Sequence, residues 1–174
     1  MNVVQELAAR TLLVILAAAV VQDFMYMKIS NRLILMGILF SLAFGLTMGG
    51  PKQVIYVLAN LSFPVIVLYL LYLLGVLGAG DIKLFSIIGG FTNFRLLISC
   101  MFFSFVAAAV IAVCKMLYNR NFCGSLLRAG TYFRCLRQEG IVSYHKEWAE
   151  HRNLMHFSVA ILIGYIAAVA VQVL

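Results

Sequence analysis

Residues 54–77 read VIYVLANLSFPVIVLYLLYLLGVL, a run of 24 residues without a charged side chain. A membrane-spanning α-helix needs about 20 predominantly apolar residues, so this run is long enough to cross a bilayer. Asn60 and Pro64 within the run predict a kink or a polar contact inside a helix bundle. The run ends at Gly78-Ala79-Gly80-Asp81, where two glycines and a carboxylate interrupt the apolar pattern.

The composition of the whole chain is that of an integral membrane protein. Of its 174 residues, 64% are hydrophobic and 11% are charged, and the mean hydropathy is +1.05, far from the values of soluble domains. The chain has room for roughly five to seven spanning helices and one sizeable loop. The net charge of +7 comes from basic residues between apolar runs, which is typical of loops that face the cytoplasm and anionic lipid. Nucleic acid is therefore not an expected partner.

The apolar runs predict an all-α bundle of about six transmembrane helices in a single domain, residues 1–174. The predicted helices span approximately residues 3–22, 33–48, 54–77, 82–91, 96–118 and 154–174. Segment 82–91 covers about half of a 30 Å hydrocarbon core, so its length leaves open whether it crosses the membrane. The charges of the loops indicate that it does, because the two basic connections described next lie on the same side of the membrane only if this segment crosses. Lys28 and Arg32 follow the first helix, and six more basic residues fall in loop 119–152, so the positive-inside rule places both connections in the cytoplasm. The six are Arg120, Arg128, Arg134, Arg137, Lys146 and Arg152.

Other interpretations of these segments stay open. The first run could be a cleaved signal peptide, because Ala17-Ala18-Ala19 is similar to a signal-peptidase site. Loop 119–152 is either an amphipathic helix in the headgroup region or a solvated basic loop. Its thiols, Cys123 and Cys135, and the nearby histidines match no standard zinc-ligand spacing. No metal and no other cofactor is therefore expected.

The chain contains only two aspartates, Asp23 and Asp81, and each lies where a long apolar run ends. A carboxylate is energetically costly to keep near hydrocarbon, so two of them at the same kind of boundary suggest a shared function. Two carboxyl groups that share a proton can activate water and protonate a leaving amine. Structural roles are the alternative: Asp81 as the N-cap of the next helix and Asp23 as the polar end of the first. Gly78 and Gly80 favour the functional interpretation, because they let the backbone bend sharply and an extended peptide approach closely.

Residues 78–83, GAGDIK, match the G-x-G-D-x-K signature of the type IV prepilin leader peptidases, a family of membrane aspartyl proteases. Residues 23–31, DFMYMKISN, resemble the family's other aspartate motif, in which Ile-Pro-Asn follows a basic stretch, with serine here in place of the proline. Residues 157–161, FSVAI, are more weakly similar to a Pro-Phe/Tyr-Gly helix start, with His156 and Ser158 as departures. The resemblance thus runs from the first helix to the last.

The resemblance implies that Asp23 and Asp81 are the catalytic pair of an aspartyl endopeptidase. One carboxylate would take a proton from the attacking water while its protonated partner polarises the scissile carbonyl. A coupled pair titrates as a unit, so the sequence does not assign the two roles. Both lysines of the motifs are candidates for positive-inside anchoring or for electrostatic tuning of the aspartates, and the asparagine is expected to cap the second helix. The motif residues expected to support the pair are Gly78, Gly80, Lys83, Lys28 and Asn31.

The implied substrate is a prepilin whose short basic leader ends in glycine and whose hydrophobic helix lies in the bilayer. Cleavage would occur at the cytoplasmic face of a prokaryotic cytoplasmic membrane, with membrane lipid and other pilus-assembly proteins as further partners. Many family members carry paired C-x-x-C motifs between the first two helices, which are associated with methylation of the new N-terminus. Here that connection is about ten residues without cysteine, as in the stand-alone Flp/Tad-type form. The open alternatives are a small transporter or channel and a non-catalytic pilus-assembly subunit.

Overall fold

A computed structural model describes residues 3–27, 29–74, 76–118 and 157–173. The regular structure in these ranges is helical: α1 (Val3–Tyr26), α2 (Asn31–Leu73), α3 (Ala79–Phe91), α4 (Phe94–Tyr118) and α5 (Phe157–Val173). Three of the helices, α1, α2 and α4, are long and apolar enough to cross a membrane. In the ranges that the structure describes, the chain is therefore all-helical, with helices of the kind that span membranes. The count of about six crossings stays a prediction, and loop 119–152 lies outside the described residues.

The chain divides into two compact units. The first consists of Met1–Ala108 together with His156–Leu174, and it holds the candidate site. The second is Ala109–Met155, of which the structure describes the end of α4. The organisation of residues 1–174 as one peptidase domain stays a prediction.

α2 is a helical hairpin rather than one straight helix. Gly50 has φ 65° and ψ −155°, a conformation that other residues rarely adopt, and it is followed by a proline. A Cβ added to Gly45 would lie 2.9 Å from Val57 Cγ2, whereas the axial rise between these positions in an uninterrupted helix is about 18 Å. Residues 31–49 and 51–73 are therefore two antiparallel segments. They meet at the Gly49-Gly50-Pro51 turn that separates the predicted helices 33–48 and 54–77.

α3 is the buried centre of the first unit. Every residue from Leu84 to Gly90 is buried, as expected for a helix that is apolar on all sides and enclosed by others. Small residues let α2 approach closely: a Cβ added to Gly89 would lie 3.0 Å from the carbonyl carbon of Asn60. The Asn60 side chain donates a hydrogen bond from Nδ2 to the carbonyl oxygen of Thr92 at 3.1 Å. This bond confirms the predicted polar contact of Asn60 inside the bundle.

Candidate active site

Asp23 lies in the last turn of α1, and its carboxylate is bonded to α5. The helix continues to Tyr26, beyond the predicted end at residue 22, because the backbone hydrogen bonding runs on through the polar Gln22-Asp23 pair. Ser158 Oγ donates a hydrogen bond to Asp23 Oδ2 at 2.6 Å. Asp23 is partly buried, and Ser158 is 1% exposed. The bond ties the second residue of α5 to the end of α1, so Asp23 does more than end a helix.

Asp81 lies in the first turn of α3 and is not the N-cap that the structural interpretation expected. Gly78 is the cap residue, with extended backbone at φ −78° and ψ 151°. The helix therefore begins at Ala79, three residues before the predicted start at 82. The N–H of Gly78 donates to Asp81 Oδ2 at 3.2 Å. This is the capping-box hydrogen bond in which the side chain of the third helical residue accepts from the backbone N–H of the cap residue. The Asp81 carboxylate also lies at the positive end of the helix dipole.

The two glycines of the GAGD sequence have different neighbours. A Cβ added to Gly78 would lie 3.1 Å from Asp81 Oδ2, and one added to Gly80 would lie 3.2 Å from Ile29 Cδ1. A side chain at position 78 would therefore press on the carboxylate. Gly80 instead allows the connection between α1 and α2 to pack against α3.

Contacts among four helices place both aspartates at the same end of the bundle. α1 ends there, while α2, α3 and α5 begin there. The ring of Phe157, next to Ser158, lies 6.3 Å between centroids from the ring of Phe85, one helical turn after Asp81. Lys83 Nζ donates to Asn31 Oδ1 at 2.9 Å, which joins the starts of α3 and α2. Such an arrangement suits a site that draws on both carboxylates.

The expected capping role of Asn31 is wrong, because Ser30 caps α2. Ser30 has the extended backbone that a cap requires, φ −65° and ψ 131°, and its side chain accepts from the N–H of Arg32 at 3.3 Å. Asn31 is the first helical residue, and its exposed side chain accepts the hydrogen bond from Lys83. Lys28, the remaining support residue, lies outside the described residues.

Two residues of this region had no predicted role. Gln22 Oε1 accepts from the N–H of Ser30 at 3.0 Å, which holds the connection between α1 and α2 against the end of α1. A proline at position 30 has no N–H to donate, so this bond requires a residue other than proline there. Ser158, the other residue without a predicted role, was noted in the sequence only as a departure from the family pattern. For Ser158 and for Ser30, the available signal was that each replaces the residue that the family motif has at that position.

An apolar cavity of about 390 Å³ lies between both segments of α2 and one side of α3. Lys83 and Ser86 line its α3 side, and Ser62 lines its α2 side. The hydroxyls of both serines donate to backbone carbonyls of their own helices, at 3.1 Å from Ser86 and 2.9 Å from Ser62. The cavity is therefore a mainly apolar space whose serine hydroxyls are already hydrogen-bonded within their own helices. The candidate reactive groups at this end of the bundle are the two carboxylates.

No group of three or more His, Cys, Asp or Glu side chains that could hold a metal ion occurs within the part of the chain that the structure describes. The thiols Cys123 and Cys135, and the histidines weighed with them for zinc, lie outside that part.

Comparison with known families matches the part of the chain that carries both aspartates. The matching sequence model is described as the type IV leader peptidase family and covers residues 11–113. This range includes most of α1, all of α2 and α3, and most of α4. Comparisons with curated proteins and with solved structures find no match.

Proposed function

Because the chain belongs to the type IV leader peptidase family, we propose that it is a membrane-embedded aspartyl endopeptidase that removes the leader peptide of Flp-like type IV prepilins. The observation that supports this proposal most is the convergence of Asp23 and Asp81 on one end of the bundle. They are the only aspartates of the chain, and they come from different helices, α1 and α3. Carboxylates kept merely as helix ends have no need to converge.

The proposed reaction is hydrolysis of one peptide bond by the two carboxyl groups. One carboxylate takes a proton from water as the water oxygen attacks the scissile carbonyl, and the protonated partner polarises that carbonyl and later protonates the leaving amine. In each aspartate the Oδ2 atom accepts from a donor held by the scaffold: the Ser158 hydroxyl for Asp23 and the Gly78 N–H for Asp81. Such donors orient the carboxylates before substrate binds, and orientation is a large part of catalysis.

The substrate proposed is a prepilin with a short basic leader and a hydrophobic helix that lies in the membrane. Family membership supports prepilin-type substrates. The Flp-like assignment rests on the connection between α1 and α2, which consists of residues 27–30 alone and has no room for an insert with paired cysteines. Arg32 and Lys83 at the aspartate end of the bundle support a cytoplasmic location of the site, because basic residues are enriched on that side.

The test is cleavage of an Flp-type prepilin by the purified protein in proteoliposomes, followed by mass spectrometry. The unmodified protein should shorten the prepilin by the mass of its leader. Asp23→Asn and Asp81→Asn should each lower the rate by more than about a hundredfold, the usual contribution of a proton-transferring group, with normal expression and membrane insertion. Lys83→Ala should retain most of the activity, because it removes a hydrogen bond to Asn31 and no proton-transfer group.

The outcomes separate the alternatives. Near-normal cleavage by either asparagine variant would refute the two-aspartate mechanism. An uncut prepilin in the presence of the unmodified protein would favour a non-catalytic pilus-assembly subunit.

A further inference from the structure

We propose that Ser158 is a positioning residue for the Asp23 carboxylate, an inference that rests on the proposed peptidase function. Its Oγ donates to Asp23 Oδ2 at 2.6 Å, near the short end of the range of about 2.5–3.0 Å for an O–H···O hydrogen bond. Ser158 lies outside the segment that matches the family model, residues 11–113, and at a position where the resemblance expects glycine. The hydroxyl at position 158 is therefore not part of the family pattern, and its role has to be argued from this chain itself.

Packing fixes the place from which the hydroxyl acts. Ser158 is 1% exposed, and Ala160 and Ile161 in the next half-turn are as deeply buried. The adjacent Phe157 ring lies 6.3 Å from the Phe85 ring and 5.9 Å from the Phe105 ring, between centroids. α3 and α4 thus hold the start of α5, so that the Ser158 hydroxyl meets Asp23 with little freedom of its own.

A fixed donor on one oxygen sets the direction of the whole carboxylate. The hydrogen bond to Oδ2 restricts rotation of the carboxylate about its Cβ–Cγ bond and with it the direction of Oδ1. The serine keeps its proton throughout, so it orients the reacting group and takes no part in the bonds made and broken. Misplacement of a reacting group by about 1 Å costs on the order of a hundredfold in rate, which sets the scale of the expected effect.

The test compares three variants of the full chain in proteoliposomes. Ser158→Ala should lower kcat for prepilin cleavage about tenfold to a hundredfold and leave KM within about twofold, since Ser158 acts on Asp23 and not on the substrate. Ser158→Thr keeps the hydroxyl and should restore most of kcat. Ser104→Ala is the matched control: Ser104 is 0% exposed, and its Oγ donates to the Cys100 carbonyl of its own helix at 2.7 Å. Its kcat should be unchanged.

An infrared readout tests the contact without cleavage. The difference spectrum between the unmodified protein and Asp23→Asn identifies the carboxylate band of Asp23 among the six acidic side chains of the chain. That band should shift in Ser158→Ala and stay in place in Ser104→Ala. A shifted band in a protein that cuts no prepilin would support the contact and refute the proposed function. An unshifted band, or an unchanged kcat in Ser158→Ala while the unmodified protein cuts, would overturn the role of Ser158.

Discussion

Replacing Gly90 by alanine should weaken the packing of α3 against the first segment of α2. A Cβ added to Gly90 would lie 2.6 Å from Ser41 Oγ and 2.8 Å from Ser41 Cβ. Ser41 is 0% exposed, and its hydroxyl donates to the carbonyl of Ile38 at 2.8 Å, so it cannot turn away without losing that bond. The third neighbour, Leu61 Cγ, would be at an ordinary contact distance of 3.4 Å.

Two opposed contributions determine the size of the effect. Carbon atoms in ordinary contact are about 3.5–4.0 Å apart, so the two helices must separate by roughly 1 Å, and overpacking of this kind costs about 1–3 kcal/mol. Alanine in a helix is favoured over glycine by about 1 kcal/mol. Because the clash involves Cβ atoms that cannot rotate away, we expect the upper half of the overpacking range. The free energy of unfolding should therefore fall by about 1–2 kcal/mol.

A double-mutant cycle tests this reasoning. Ser41→Gly removes both clashing atoms, so in that background Gly90→Ala keeps the gain in helix propensity and should raise the free energy of unfolding by about 1 kcal/mol. Reversible unfolding in mixed ionic and nonionic detergent micelles, followed by circular dichroism, gives the values for the four proteins. An equal effect of Gly90→Ala in the two backgrounds would refute the assignment of the cost to the Ser41 contact.

Leader removal should survive chelation by EDTA, because the chemistry of the two carboxylates uses no metal; loss of activity that zinc restores would contradict this. In a variant with Cys100 and Cys114 replaced by alanine, a membrane-impermeant thiol reagent should label Cys123 and Cys135 only after right-side-out vesicles are opened, because the basic loop is predicted to be cytoplasmic. Labelling of intact vesicles would invert that topology. With S-adenosylmethionine supplied, a cleaved pilin should carry no added mass of about 14 Da, that of one CH₂, because the connection of residues 27–30 holds no cysteine pair; a methylated product would count against the stand-alone form.

The helical, membrane-type character of the chain and the position of its main turn could be predicted from the sequence. Both depend on local properties: long apolar runs, and a Gly-Gly-Pro break at residues 49–51 whose middle glycine adopts a positive φ. The limits of α1 and α3 were misplaced by a few residues for a related reason. Polar Asp23 and the glycines before Asp81 indicated the ends of apolar runs, but backbone hydrogen bonds continue through Asp23 and begin before Asp81, so both aspartates lie inside helices.

The long-range partners of the motif residues were decided by the tertiary structure alone. Ser158 bonds to Asp23 across 135 positions, and Lys83 bonds to Asn31 across 52. Local composition and spacing carry no information about such pairs, because they depend on which helices pack together and in which register. The two aspartates were recognisable because each lies in a short motif with fixed spacing. Their common end of the bundle, and the Ser158 hydroxyl that orients Asp23, follow from α5 packing against α1 and α3 and from the α2 hairpin packing against α3. The Gly78 N–H that orients Asp81 is a local contact within the first turn of α3.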